Sequence, residues 1–417
     1  MKMESYDYIE SGLIFGLNDI KTLRQFKYQA EDFKTHGDAY RFLVQYFDKY
    51  AEFPKPETLV DNYPALDASA QMLHFDYAID TFKKQILFRR IVNTFNINKE
   101  LIQEEPKRAL SRIMDNLSDI EVLYDEDITH YNQNASNRFD AMKNRQKQRQ
   151  MGDGLMGIPT PLSMINQTGV GWMPGELISL YARPTVGKTW MCIQAAATAV
   201  LKGYRTLLIS TEMPIEAISL RMDVVMASMM GYDLSHKALR NGDACNEDEY
   251  QRFLDDINDQ QLLICDHIEG SGSFTVDAIA GLVRKHSPDF VVVDGVYLVS
   301  TGMKKAMWEQ SHAVFYGMKN LCLSTNTPIF VSTQATREAA ANMYVPPRPD
   351  QVAFGDALIR ASDVVMAMSL VEEQDDRRII QYQKYRDGQL PVDASMMIWD
   401  VNKGHIEETE FVTGDLF

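Results

Sequence analysis

Eight residues, Ala182-Arg183-Pro184-Thr185-Val186-Gly187-Lys188-Thr189, carry the sharpest chemical signal in the chain. They keep the spacing of a phosphate-binding loop, with Ala where the first Gly usually stands. The strand-like run Glu176-Leu177-Ile178-Ser179-Leu180-Tyr181-Ala182 leads into them, and a helix-forming run opens at Lys188. In that setting the loop N–H groups and the helix N-terminus point at phosphate oxygens. Gly187 lets the backbone come close. Lys188 neutralises phosphate charge, and the Thr189 hydroxyl can ligate Mg²⁺. Arg183, Pro184, Thr185 and Val186 complete the cradle.

Polar residues that end other apolar runs supply what such a site needs. Phe290-Val291-Val292-Val293-Asp294 is a strand that closes on a carboxylate able to hold a Mg²⁺ water shell. Glu212, just after the run Arg205 to Thr211, is the candidate base for the attacking water. Gln334 ends the run Pro328 to Gln334, where an amide can touch a γ-phosphate. Late in the chain, Lys384 and Arg386 stand two apart on a strand and so share a face. They are either edge charges that discourage aggregation or a cation pair inserted into a neighbouring subunit's site. Lys304 and Lys305 belong either to a plain surface loop or to a loop that binds nucleic-acid phosphates without reading sequence.

These residues need elements to hold them. Residues 1–130 show apolar residues at helical three-and-four spacing and no strand-like alternation of note, which predicts a small all-α domain. Residues 131–153 form a basic linker with a helix, ended by Met151-Gly152-Asp153-Gly154. Residues 154–402 alternate short apolar runs with helical segments, the pattern of an α/β domain with a largely parallel sheet. Only short loops separate the runs near Val364, Ile379 and Met396, which suggests an antiparallel extension at one edge. Residues 403–417 read as an acidic tail, frayed or used as a docking peptide.

Composition sets the outer limits. The chain of 417 residues is 45% hydrophobic and 24% charged, the balance of a folded protein with more than one domain. A net charge of -16 argues against a surface coated all over with nucleic acid, though not against a local basic channel. The four cysteines, Cys192, Cys245, Cys265 and Cys322, form no CxxC pair and suit a reducing compartment, so a cytoplasmic location is expected. The polar N-terminus and the lack of a long apolar run argue against secretion and against a membrane span.

Taken in order, the motifs resemble those of the RecA-like ATPases and, among them, the DnaB-type hexameric replicative helicases. The loop with its Arg-Pro pair, Ser210-Thr211-Glu212-Met213, Val293-Asp294-Gly295-Val296-Tyr297-Leu298, Ser332-Thr333-Gln334-Ala335-Thr336-Arg337 and Lys384-Tyr385-Arg386 are each similar to a motif of that family. The resemblance runs from about Gly157 to Asp400 and is looser over the helical domain. One departure is Gln351-Val352-Ala353-Phe354-Gly355-Asp356, which lacks the Arg and Glu of the family's DNA-contacting loop. The resemblance implies a RecA-like core that uses ATP or another NTP with Mg²⁺, in a homo-hexamer of bacteriophage type. It implies a replicative helicase that translocates on single-stranded DNA and unwinds forks in the bacterial host cytoplasm. Lys384 and Arg386 would act across subunits, and Lys304, Lys305 and Arg337 would contact DNA. Primase, a helicase loader, a polymerase or a clamp are the implied partners. Two alternatives stay open: a RecA-like recombinase or regulatory ATPase that binds DNA without unwinding, and a non-enzymatic loader or inhibitor. The helical domain and linker weigh against the former. The intact loop and acidic residues weigh against the latter.

Overall fold

The computed structural model describes residues 5–26, 28–121, 135–151, 154–243, 246–268, 273–300, 307–336, 342–352, 355–386 and 393–412. Two compact units divide the chain, Met1–Ala135 and Ser136–Phe417.

The helical spacing of the first unit produces helices Tyr6–Gly16, Gly37–Tyr50, Phe75–Ile97 and Pro106–Glu121, with shorter ones between. Ala78, Phe82 and Ile86 recur one turn apart and are buried with Ile9, Leu13, Leu43 and Leu59. One polar group sits inside this core. Glu10 is fully buried, and Oε1 accepts from the Lys34 N–H at 2.7 Å, while Oε2 accepts from the Thr35 and His36 N–H groups at 2.9 Å each. Those donors lie in the turn that enters helix Gly37–Tyr50. A single carboxylate therefore pins the first helix of the unit to the start of a later one.

The second unit is built on nine strands: β1 Leu177–Ala182, β2 Thr206–Ser210, β3 Leu262–Cys265, β4 Phe290–Asp294, β5 Ile329–Gln334, β6 Val364–Val371, β7 Gln374–Tyr385, β8 Ala394–Asp400 and β9 His405–Val412. They lie in one sheet in the order β3-β2-β4-β5-β1-β6-β7-β8-β9. The first six are parallel, and β7, β8 and β9 add an antiparallel extension at one edge. The central strands are mostly apolar and buried along their length because helices cover both faces. Ile178, Leu180, Phe290 and Val292 face a layer that includes helices Lys188–Leu201 and Ile215–Met230. Leu177, Tyr181, Val291 and Val293 face helices Val276–His286 and Met307–Thr325. A period of two along each strand thus divides its side chains between two cores. The basic stretch forms the helix Ala135–Met151, with Arg138, Lys143 and Arg145 exposed.

One expectation needs correction. Residues 405–412, read as tail, form β9 and pair with β8, with Ile406 buried opposite Trp399. Glu407, Glu408 and Glu410 make it a charged edge strand, which hid its pattern behind a net acidic composition. Residues 413–417, the rest of that segment, lie outside the described residues. No described helix is long and apolar enough to cross a membrane.

Glu10→Ala leaves three backbone donors without their acceptor. It should destabilise the helical unit by about 2–4 kcal/mol, seen as a lower urea midpoint in circular dichroism. An unchanged midpoint would show that water replaces the carboxylate at no cost.

Candidate active site

The strand order brings the chemistry together. β1 leads into the loop, with β5, β4 and β2 beside it in turn, so the C-terminal ends of four parallel strands share one edge. Ala182 is level with Gln334, and Ser210 is level with Asp294.

The loop keeps an unusual backbone. Thr185 has φ +68° and Gly187 φ +124°, and a Cβ on Gly187 would come within 2.5 Å of the Trp399 ring. Glycine is required there on both counts. Helix Lys188–Leu201 starts at the next residue, with Thr189 in its first turn. The Lys188 side chain is buried, with Nζ 3.4 Å from the Arg183 carbonyl oxygen. Burial lowers its pKa, against the opposing pull of Glu212 and Asp294. The Arg183 guanidinium donates to the Asn342 carbonyl, so this residue ties the loop to another segment.

Asp294 is 1% exposed. Its Oδ1 accepts from the Ser332 hydroxyl at 2.7 Å and lies 3.6 Å from the Cys192 sulfur. Burial first, then Asp294, pushes the Cys192 thiol well above its ordinary pKa, so it stays protonated and inert. The second carboxylate oxygen, Oδ2, is buried without a partner among the described residues. An orphaned carboxylate oxygen near the buried lysine of a phosphate loop suits Mg²⁺ with its water shell. Thr189 and Asp294 are the residues that fit the ion.

Backbone stitching places Glu212. The Thr211 N–H and hydroxyl both donate to the Asp294 carbonyl, at 3.1 and 2.9 Å, and hold the segment after β2 against the end of β4. Gly295, at φ +89°, leaves the space that Thr211 and Glu212 occupy. Glu212 Oε1 accepts from the Tyr297 hydroxyl at 2.7 Å, and the Gln334 amide donates to the same hydroxyl. Lys188, Glu212, Asp294 and Gln334, all singled out from sequence, therefore lie together.

Three contributors escaped the sequence reading. Tyr297 was visible only as part of a motif, without a role. Arg378, on β7, donates from Nε to the Val186 carbonyl in the loop at 2.8 Å, and its guanidinium lies 5.4 Å from the centre of the Trp399 ring on β8. Burial lowers the Arg378 pKa. Arg378 and Trp399 brace the loop from a part of the chain nearly 200 residues away, and no local motif announces them.

Lys384 and Arg386 stand elsewhere. Tyr385 is level with Val364, which is level with Ile178, so the pair sits at the opposite edge of the sheet from the chain's own loop. Lys384 Nζ donates to the carbonyls of Ile359 and Ser362, at 2.7 and 2.6 Å. Arg386 is 63% exposed and reaches Asp363 Oδ1 at 2.9 Å. The other Asp363 oxygen accepts from Lys319 Nζ at 2.6 Å and the Leu177 N–H at 2.9 Å. Burial would raise the Asp363 carboxyl, but the Lys319, Leu177 and Arg386 donors outweigh it and hold its pKa below the ordinary range. Lys304, Lys305 and Arg337 lie outside the described residues. A cleft of about 460 Å³, lined by residues such as Tyr204, Arg284 and Thr327, opens where the parallel strands begin and holds none of the site residues.

A phosphate loop on the central strand of a parallel sheet, with an acid, a base and an amide on its neighbours, defines a P-loop nucleotide-binding domain of the RecA-like kind. The family described as DnaB-like helicase C terminal domain matches residues 157–408, and the chain belongs to it. Among curated relatives, it is 22% identical over 219 residues to the probable plasmid replicative DNA helicase of Chlamydia muridarum, covering 52% of this chain and 48% of that one. It is 26% identical over 194 residues to the replicative DNA helicase DnaB of Leifsonia xyli subsp. xyli, covering 44% and 40%. The chain thus spans about half the length or less of these relatives. A solved structure of a DnaB-like replicative helicase, described with its interactions with primase, shares the fold at a TM-score of 0.70 and 15% identity, covering 97% of this chain and 99% of that one.

Gly187→Ala should cut nucleotide affinity by about tenfold or more, since backbone strain of this kind costs on the order of 1–3 kcal/mol. Titration with a fluorescent ATP analogue measures it, and unaltered affinity would show that the loop tolerates a side chain. Asp363→Ala strips a buried acid from Lys319 and should cost about 3 kcal/mol at neutral pH. Because the folded pKa is depressed, that stabilisation is present above the unfolded value of about 4 and is lost as pH falls through the folded value. The gap between wild type and variant should close in strong acid. A gap that persists there would assign the effect to packing.

Proposed function

We propose that this chain is an ATP-dependent replicative DNA helicase that works as a homo-hexameric ring. It translocates on single-stranded DNA and separates the duplex at a fork. One observation carries the reading: the loop, Glu212, Asp294 and Gln334 share one edge of the sheet, while the exposed Arg386 stands at the other. A chain built this way cannot bring its own Arg386 to its own phosphates without refolding. A neighbour in a ring can.

In this mechanism the loop residues from Arg183 to Thr189 hold the triphosphate, with Lys188 on its oxygens. Thr189 and Asp294 hold Mg²⁺, which would offset phosphate charge. Glu212 accepts the proton of the attacking water. Gln334 senses the γ-phosphate. Arg386, with Lys384 beside it, adds cationic charge from the next subunit, a contribution worth ~10³–10⁵ in rate for such residues. Residues 1–130 form the helical domain, 131–153 the linker and 154–412 the ATPase core, with β9 as its last strand. The exposed Phe88, Val92 and Phe95 share one face of helix Phe75–Ile97 and supply an apolar surface for ring contacts of the helical domain. Lys304, Lys305 and Arg337 are the proposed DNA contacts. The solved DnaB-like relative, described with its interactions with primase, supports a primase partner. A loader, polymerase or clamp belongs to the same setting, in the cytoplasm of a bacterial cell infected by a phage.

The experiment is unwinding of a forked duplex with ATP, in which Lys188→Ala should abolish strand separation. Lys188→Ala and Arg386→Ala chains should each lose hydrolysis by about 10³-fold alone, yet recover part of it when mixed, because mixed seams join an intact Lys188 to an intact Arg386. Full activity of either variant, or no recovery on mixing, would remove the shared site.

A further inference from the structure

Tyr297 occupies a position that the mechanism above does not use. It lies in the turn Val296–Leu298, immediately after β4, between the ends of β2 and β5. Its hydroxyl donates to Glu212 Oε1 at 2.7 Å and accepts from the Gln334 amide. Burial first, then the bond to Glu212, raises the hydroxyl above its ordinary pKa, so it keeps its proton to donate. A phenol has one proton and here gives it to the carboxylate. The three side chains form a line, Gln334 to Tyr297 to Glu212, that joins the candidate γ-phosphate sensor to the candidate base.

The chain of hydrogen bonds has a chemical consequence. The Gln334 N–H that serves the phenol cannot at the same time serve a phosphate oxygen. Hydrogen bonds in series strengthen one another, so when Gln334 turns away the phenol becomes a weaker donor to Glu212. The carboxylate is then freer to accept from water. Gln334 also stands just before Thr336 and Arg337 in sequence, and Tyr297 shortly before Lys304 and Lys305. A pull on either segment would therefore act on this line.

We infer that Tyr297 is a positioning residue that keeps Glu212 at rest until Gln334 turns to the γ-phosphate, so that hydrolysis waits for single-stranded DNA. The inference rests on the roles proposed above for Glu212 and Gln334. It assigns no contact between Tyr297 and substrate.

The test compares steady-state ATP hydrolysis by full-length wild type, Tyr297→Phe, Gln334→Ala and the double variant, each with and without an oligo-dT strand. Tyr297→Phe should raise hydrolysis without DNA about fivefold, the size expected for one hydrogen bond. It should lower the DNA stimulation by a similar factor and leave the KM for ATP unchanged. In the Gln334→Ala background the same substitution should raise the DNA-free rate by a smaller factor than in wild type, because the phenol has already lost the donor that strengthens its bond to Glu212. A merely structural role would depress all rates and move KM. Tyr297→Phe with wild-type DNA-free rate and stimulation, or effects of the two substitutions that multiply independently, would overturn the inference alone. Wild type that hydrolyses no ATP, or that ignores DNA, would overturn the reading of the site and this inference with it. A thermal melt of Tyr297→Phe that matches wild type keeps a folding defect from imitating either result.

Discussion

Lys188, at the start of the helix that follows the loop, and Asp294, at the end of β4, are both buried, and the described residues satisfy neither in full. Among the described residues the ammonium has one long contact, to a loop carbonyl, and one carboxylate oxygen has no partner. Burying charge this way is costly unless a counter-charge arrives. Direct pairing of the two would end the tension and would also end the site. The surrounding structure keeps them apart: Ser332 and Cys192 hold the carboxylate, and the loop backbone fixes the lysine. The tension is relieved by a ligand that is anionic toward Lys188 and presents a cation's water shell to Asp294. A triphosphate with Mg²⁺ meets both demands.

The rest of the fold serves that arrangement. Parallel strands aim their C-terminal ends at one edge, where polar side chains follow apolar runs, so the site and the core can coexist in one sheet. The antiparallel extension does more than lengthen the sheet. Through Arg378 and Trp399 it supports the loop, and at the other end of β7 it presents Arg386, which Asp363 just before β6 holds in place. One hairpin region thus touches both the site that holds phosphate and the cation offered outward.

Much of this was legible in the sequence because the governing constraints are local. Strands β1, β4 and β5 are buried on both faces, so each reads as a short run dominated by apolar residues. Lys188 and Thr189 are fixed by loop spacing, and Asp294 and Gln334 by their places at strand ends. Other features depend on contacts that sequence does not order. Arg378 sits beside Arg377 on an exposed-looking strand, and only the β6–β7 register turns it toward Val186. Tyr297 gains its role from two residues on other strands. Glu10 reads as one more surface acid until the fold brings three N–H groups to it. The last strand was obscured because Glu407, Glu408 and Glu410 crowd its middle and make the segment read as a charged tail.

The most direct test of the central claim is thermal unfolding of the second unit with a non-hydrolysable ATP analogue. All four tryptophans, Trp172, Trp190, Trp308 and Trp399, lie within it, so their fluorescence reports on it alone. If a buried lysine and an orphaned carboxylate oxygen await a triphosphate with its metal, analogue and Mg²⁺ together should raise the melting temperature by several degrees at about 100-fold excess over Kd. The analogue with a chelator, or Mg²⁺ alone, should raise it much less. An identical melting temperature under all three conditions would contradict the account.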